Sequence, residues 1–295
     1  MSAAFVLSGG ASLGAIQVGM LRALYERGVR PDFMVGTSAG ALNGAFVASR
    51  PQVPDTAEAL GDIWRGLRRS EVFPLNPVTG FVGFFGRRNH LVPDSGLRRI
   101  LERHLELEGL EDAAVPLHVI AVDLYSGREV RLSDGPALDA VAASAAIPGV
   151  FEPVPWGSMD LVDGGVANNT PVSHAVELGA DDVYILPAGH PCDLDEPPQG
   201  ALGMVLHAMT LMIHRRLEFD IEALAGRARL HLLPPPCPLA VQPIDFGHAD
   251  ELIERSLHDA RAYLDSGDTV VPAARPGVRP RLSGARPAPL AVRAA

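Results

Sequence analysis

Apolar residues along this chain fall into two kinds of run. The short unbroken ones are AFVLS at 4–8, FMV at 33–35, LHVIAVDL at 117–124 and DDVYILPAG at 181–189. They predict strands apolar enough to be covered on both faces. Longer runs between them repeat apolar residues every three or four positions. AIQVGMLRALYERG places Ile16, Met20, Leu21 and Leu24 on one side and stops at Gly28, which predicts a helix. ALGDIWRGLRR at 59–69, the stretch from Asp94 or Ser95 to His104, and ADELIERSLHDARAYLDSG at 249–267 read the same way. Strand, glycine loop, helix and strand in that order make a βαβ unit, so the sheet is parallel and the class is α/β.

Further elements fill in the picture. REVRLSD alternates and predicts a neighbour for the 117–124 strand, and ARLHLL near 230 predicts a late short strand. ALDAVAASAAIPGVF reads as a small-residue helix that breaks at Pro148. Its small side chains suit close packing on the sheet, or leave room for an acyl chain. Residues 200–226 read as a long methionine-rich helix whose apolar stripe is expected to lie in the core. Phe81, Phe84 and Phe85 stand among glycines beside Arg87 and Arg88. That segment reads as a loop tucking its rings into the core, or as a mobile flap at a lipid-facing mouth.

Composition narrows the class. The chain has 295 residues and a formal net charge of −10, with no nucleic-acid footprint in its body. All 25 basic residues are arginine, which carries no functional reading. The two cysteines, Cys192 and Cys237, lack C-x-x-C spacing, so neither a disulfide framework nor a cysteine zinc site is expected, and a reducing compartment is the default. The N-terminus lacks a basic n-region, and no run approaches the length of a membrane span. The expectation is a single domain over 1–271 followed by a disordered Pro/Arg/Ala-rich tail at 272–295, in the cytoplasm, with peripheral membrane contact left open.

Three stretches carry chemistry. FMVGTSAGALNG holds Gly36, Ser38 and Gly40 in the G-x-S-x-G pattern between a strand and a helix. A serine there stands on a sharp corner with its hydroxyl exposed, at the positive end of a helix. GGASLG at 9–14 follows the first strand. Such a loop can cradle a pyrophosphate or aim amides at an oxyanion. The dinucleotide reading needs an acid at the far end of the second strand, and Asp32 precedes that strand instead. LVDGGVANNTP at 161–171 places Asp163 at the end of an apolar run, where it is a turn residue or a base. A nucleophile needs a base. His174, His190, His207, His214, His231, His248 and His258 follow Asp163, but none has a catalytic signature around it. Asp163 acting directly on Ser38 is the alternative.

GGASLG, GTSAG and DGG in this order, with AIPGVFEPV and LVDGGVANNTPV framing the last, resemble the patatin-like phospholipase family over roughly Ala4 to Leu186. The resemblance implies a three-layer sandwich, helices on both faces of a mainly parallel sheet. It implies hydrolysis of lipid carboxylic esters through a Ser-Asp dyad, with Ser38 as nucleophile and Asp163 as base. It places the oxyanion hole on the loop residues Gly9, Gly10, Ala11 and Gly14, and on general hydrolase grounds the Ala39 amide can join them. A lipid or acyl ester is the expected partner, with no cofactor, no metal and no nucleic acid; the oligomeric state stays open. Two positions depart from the family's usual pattern: Ala11 where glycine is usual, and Leu13 where a cation is frequent. Three further readings remain: a Ser-His-Asp esterase, an acyltransferase, and a catalytically weak acyl-lipid binding protein.

Overall fold

A computed structural model describes residues 1–74, 89–189, 200–237 and 241–267. Its strands are β1 (Ala3–Leu7), β2 (Phe33–Thr37), β3 (Leu117–Asp123), β4 (Glu129–Leu132), β5 (Val154–Trp156), β6 (Met159–Asp163), β7 (Asp182–Leu186) and β8 (Arg229–Leu232). They form one sheet in the order β5-β6-β3-β2-β1-β7-β8, with β4 added to β3. β3, β2, β1, β7 and β8 run parallel, and β4, β5 and β6 are antiparallel additions.

The helices are α1 (Ala15–Glu26), α2 (Ala39–Ala48), α3 (Pro54–Gly66), α4 (Arg69–Val72), α5 (Ser95–His104), α6 (Ala137–Ser144), α7 (Val172–Glu177), α8 (Gly200–Leu224) and α9 (Ala249–Ser266). Strand alternation sorts them into two layers. Phe5 and Leu7 of β1 point into a cluster with α1, α2, α3 and α9. Ala4 and Val6 point the other way, onto Val172, Ala175, Leu217 and Ile221 of α7 and α8. The fold is the expected three-layer α/β sandwich.

The register of β3 brings the two chemical signals together. Ile120 pairs with Thr37 of β2 on one side and Arg131 of β4 on the other. Ala121 pairs with Val130 of β4 and with Asp163 of β6. Since a residue has only two lateral neighbours, β2 and β6 share one edge of β3, end to end. Ser38 leaves that edge where Asp163 takes it over.

Two expectations are overturned. Among the described side chains of α8, Leu217, Ile221 and Leu224 toward the C-terminal end are buried, whereas Met204, Val205, Met209, Leu211 and Met212 are exposed. Hydrophobicity alone does not say which face of a helix meets the sheet, and α8 extends beyond the surface it packs on. Cys237 is disulfide-bonded. The chain's other cysteine, Cys192, lies outside the described residues. A missing C-x-x-C pair speaks only of pairing between near neighbours in the chain. Phe81, Phe84, Phe85 and the tail at 272–295 also lie outside the described residues. Phe73, just before that segment, is buried and stacks on Phe151 with ring centroids 5.4 Å apart.

Candidate active site

Ser38 sits at the corner between β2 and α2 with φ 53° and ψ −122°. A non-glycine residue there is strained and is held by what surrounds it. The glycines on either side make the corner. A Cβ on Gly40 would collide with the Leu7 carbonyl oxygen, and one on Gly36 would lie 2.7 Å from the Gly40 carbonyl oxygen. Only hydrogen at those positions lets α2 start against the end of β1.

The Ser38 hydroxyl donates to Asp163 Oδ2 at 2.7 Å across a sequence separation of 125 residues. Asp163 Oδ1 accepts from the Gly165 amide at 2.7 Å. Both residues are buried. Burial pushes the Asp163 carboxyl up from 3.8 to about 6, against the lowering effect of the Ser38 hydroxyl and the Gly165 amide. It is therefore a stronger base than an exposed aspartate, yet still mostly ionised at neutral pH.

The glycine loop lies directly over this pair. A Cβ on Gly9 would come within 3.0 Å of the Ser38 Cβ, and one on Gly10 within 2.5 Å of the Ala188 Cβ. The Gly9 amide departs from expectation: it donates to the Asn169 carbonyl at 3.0 Å, so it holds the loop instead of facing a substrate. Gly14 also has a structural place. It ends a 3-10 turn, its carbonyl accepts from Asn43 Nδ2, and a Cβ on it would strike Trp64 and Ala39. The Gly10, Ala11 and Ala39 amides meet no acceptor among the described residues. Ala11 takes φ 49°, the left-handed conformation that glycine would adopt without strain.

Several supporting residues were not legible as such in the sequence. The Ser144 hydroxyl accepts from the Ser38 amide at 2.8 Å and donates to the Ile120 carbonyl at 2.6 Å, closing the seam where β2 gives way to β6. Asn169 Nδ2 donates to the Gly9 carbonyl at 3.1 Å. The Thr37 hydroxyl donates to the Asn168 carbonyl at 3.0 Å, and Asn168 Nδ2 donates to Glu129 at 2.9 Å. The paired asparagines in ANNTP were the one available hint.

Among the described residues, no histidine bonds the Ser38 hydroxyl. His174 pairs with Glu129, His231 with Asp182, and His248 with Asp245 and Glu251. His214 lines the same cleft as Ser38, and its Nε2 lies 3.3 Å from Glu218. His190 lies outside the described residues. No group of three or more metal-ligating side chains gathers among the described residues.

Two spaces meet at Ser38. One is an apolar pocket running from Ser38, Ala39 and Leu42 between α3 and α5, lined by Ile63, Trp64 and Leu101. The other is a cleft bounded by the glycine loop, Asp163, Asn169 and the α8 residues Met209 and His214. An ester carbonyl at Ser38 would have an apolar chain on one side and a more polar group on the other.

The chain is 26% identical over 294 residues to mouse patatin-like phospholipase domain-containing protein 7, covering 89% of this chain and 20% of that protein. It is 30% identical over 296 residues to lysophospholipase nte1 of Aspergillus terreus, covering 90% of this chain and 18% of that protein. The chain thus spans about a fifth of the length of these relatives. Among solved structures, VipD from Legionella pneumophila is similar with a TM-score of 0.48 at 14% identity, covering 90% of this chain and 67% of that one. The family model for patatin-like phospholipase matches residues 5–176. The chain belongs to the patatin-like phospholipase family.

Proposed function

We propose that this protein is a serine acyl hydrolase that cleaves lipid carboxylic esters through Ser38 and Asp163. The observation that carries the reading is the 2.7 Å bond from the Ser38 hydroxyl to a buried carboxylate, where an apolar pocket meets an open cleft. The acyl chain lies in the apolar pocket and the alcohol portion in the cleft. As Ser38 Oγ bonds to the ester carbonyl carbon, its proton passes to Asp163 Oδ2 and the carbonyl electron pair moves onto oxygen. The Gly10 and Ala11 amides, joined by that of Ala39, face the resulting charge. Collapse of the intermediate breaks the bond to the leaving alcohol, which takes the proton back from Asp163. Water then repeats the sequence on the acyl-enzyme, with Asp163 as base. Lysophospholipids and other single-chain esters suit one apolar pocket, and the named relative from Aspergillus terreus is a lysophospholipase.

The test is hydrolysis of p-nitrophenyl esters together with labelling by a fluorophosphonate. Ser38→Ala should abolish both, and Asp163→Asn should lower turnover by about a thousandfold or more. Histidine-to-alanine variants, His214→Ala included, should retain activity. A dead His214→Ala protein with an intact fold would replace the dyad with a three-residue site.

A further inference from the structure

The solvent-facing side of α8 is unusual for an acidic protein. From residue 200 to 213 the chain contains no Asp, Glu or Arg, and His207 is the one titratable group. Within that stretch Met204 is 51% exposed, Val205 55% and Met212 72%. Val205, Met212 and Phe219 recur at seven-residue spacing, so they form one stripe, and Phe219 is 66% exposed. The stripe faces away from the core-facing side, which carries Leu217 and Ile221. An exposed apolar face of this length is costly in water unless something covers it.

Its position says what covers it. Met209, on the flank of the stripe, lines the catalytic cleft. Val166, three residues past Asp163 and 61% exposed, lines the same cleft. The cleft that leads to Ser38 thus carries exposed apolar side chains from two separate segments, Met209 and Val166. The cations that follow the stripe are already matched: Arg215 binds Glu218, and Arg216 binds Asp220. With a net charge of −10 and no uncompensated basic cluster on this helix, the surface fits uncharged or zwitterionic lipid better than anionic lipid.

We propose that the exposed face of α8 from Met204 to Met212, together with Val166, is a membrane-docking surface that seats the cleft mouth on a zwitterionic bilayer. Its purpose rests on the lipid hydrolase reading, but the docking itself does not depend on turnover. An ester leaving the bilayer between Val166 and Met209 enters the cleft without crossing bulk water.

The experiment is flotation of the full chain with phosphatidylcholine vesicles, using wild type, Ser38→Ala and the triple variant M204Q/V205Q/M212Q. None of the three substituted α8 positions lines the cleft. Wild type and Ser38→Ala should float with the vesicles, with little sensitivity to salt, and the triple variant should bind at least about tenfold less. Turnover of p-nitrophenyl butyrate should be the same in wild type and triple variant, and turnover of vesicle lysophospholipid should fall with binding. Circular dichroism identical to wild type excludes unfolding of the variant. Equal flotation of the triple variant, or a wild type that stays with the aqueous fraction, overturns the proposal. So does light scattering showing a wild-type dimer that becomes a monomer in the variant, because a second copy would then cover the stripe. A Ser38-dependent esterase that ignores vesicles sinks docking alone. A protein that floats and cleaves nothing sinks the hydrolase reading alone.

Discussion

Asn169 grips Gly9 from both directions: its carbonyl accepts the Gly9 amide at 3.0 Å, and its side-chain amide donates to the Gly9 carbonyl at 3.1 Å. This two-point clasp ties the loop after Asp163 to the loop over Ser38. It fixes the peptides on both sides of Gly9, the second of which carries the free Gly10 amide and precedes that of Ala11. Asn169→Ala removes one of the two bonds and lets the loop drift. Turnover should fall by about ten- to a hundredfold with little change in KM for a short ester, because oxyanion contacts matter mainly in the transition state. Steady-state kinetics on p-nitrophenyl butyrate check this, and an unchanged kcat would sink it.

Activity should depend on the ionisation of Asp163. Its carboxyl titrates near 6, so turnover should rise with pH and reach half its plateau near that value. Stability should move the opposite way. The folded state holds this proton more tightly than the unfolded chain, which releases it near 3.8, so stability falls as pH rises between the two values. Asp163→Asn should be inactive yet more stable than wild type at about pH 8, by up to about 3 kcal/mol, with the gap closing below about pH 4. Urea unfolding at the two pH values measures it.

Ala11 carries a conformational penalty that glycine would not. At φ 49° its Cβ costs about 1–2 kcal/mol, part of which the extra freedom of unfolded glycine returns. Ala11→Gly should therefore stabilise the protein by about 0.5–1 kcal/mol and leave esterase turnover within about threefold. A measured destabilisation would mean that the Ala11 methyl packs usefully against the pocket it lines.

Ser144 bridges two backbone groups that have no other reason to meet. Ser144→Ala leaves the buried Ser38 amide and Ile120 carbonyl short of a partner, at a cost of about 1–3 kcal/mol. Thermal unfolding reports the loss, and labelling of Ser38 by a fluorophosphonate should slow as its corner loosens.

Chain-length preference should follow the apolar pocket. Ile63 lines it from α3. Ile63→Trp should reduce turnover of laurate esters by at least about tenfold while sparing butyrate esters. Equal losses on both would place the acyl chain elsewhere.

Much of this arrangement was legible in residue order. Strand ends are marked by apolar runs that stop at glycine, so the corner at Ser38 and the turn at Asp163 could be read directly. The pairing of those two ends could not, because register on β3 is set by long-range contacts that leave no local periodicity. The same limit hid Ser144 and Asn169, whose partners lie 106 and 160 residues away. The Gly9 amide was misassigned for the same reason: a glycine loop announces close approach, but not which of its amides are already occupied. The α8 stripe shows the converse error, since apolar spacing identifies a face without saying what it meets.

Because β2 and β6 abut on one edge of β3, the machinery tolerates change in a particular way. The turn between β3 and β4 and the turn between β5 and β6 can lengthen or shorten without altering the spacing of hydroxyl and carboxylate, which the register on β3 and the Ser144 bridge set. A slip of β6 by a single step would turn Asp163 toward the opposite layer of helices and silence the protein at a stroke. Evolution is thus left wide latitude over the pocket walls and almost none over where one ribbon ends and the next begins.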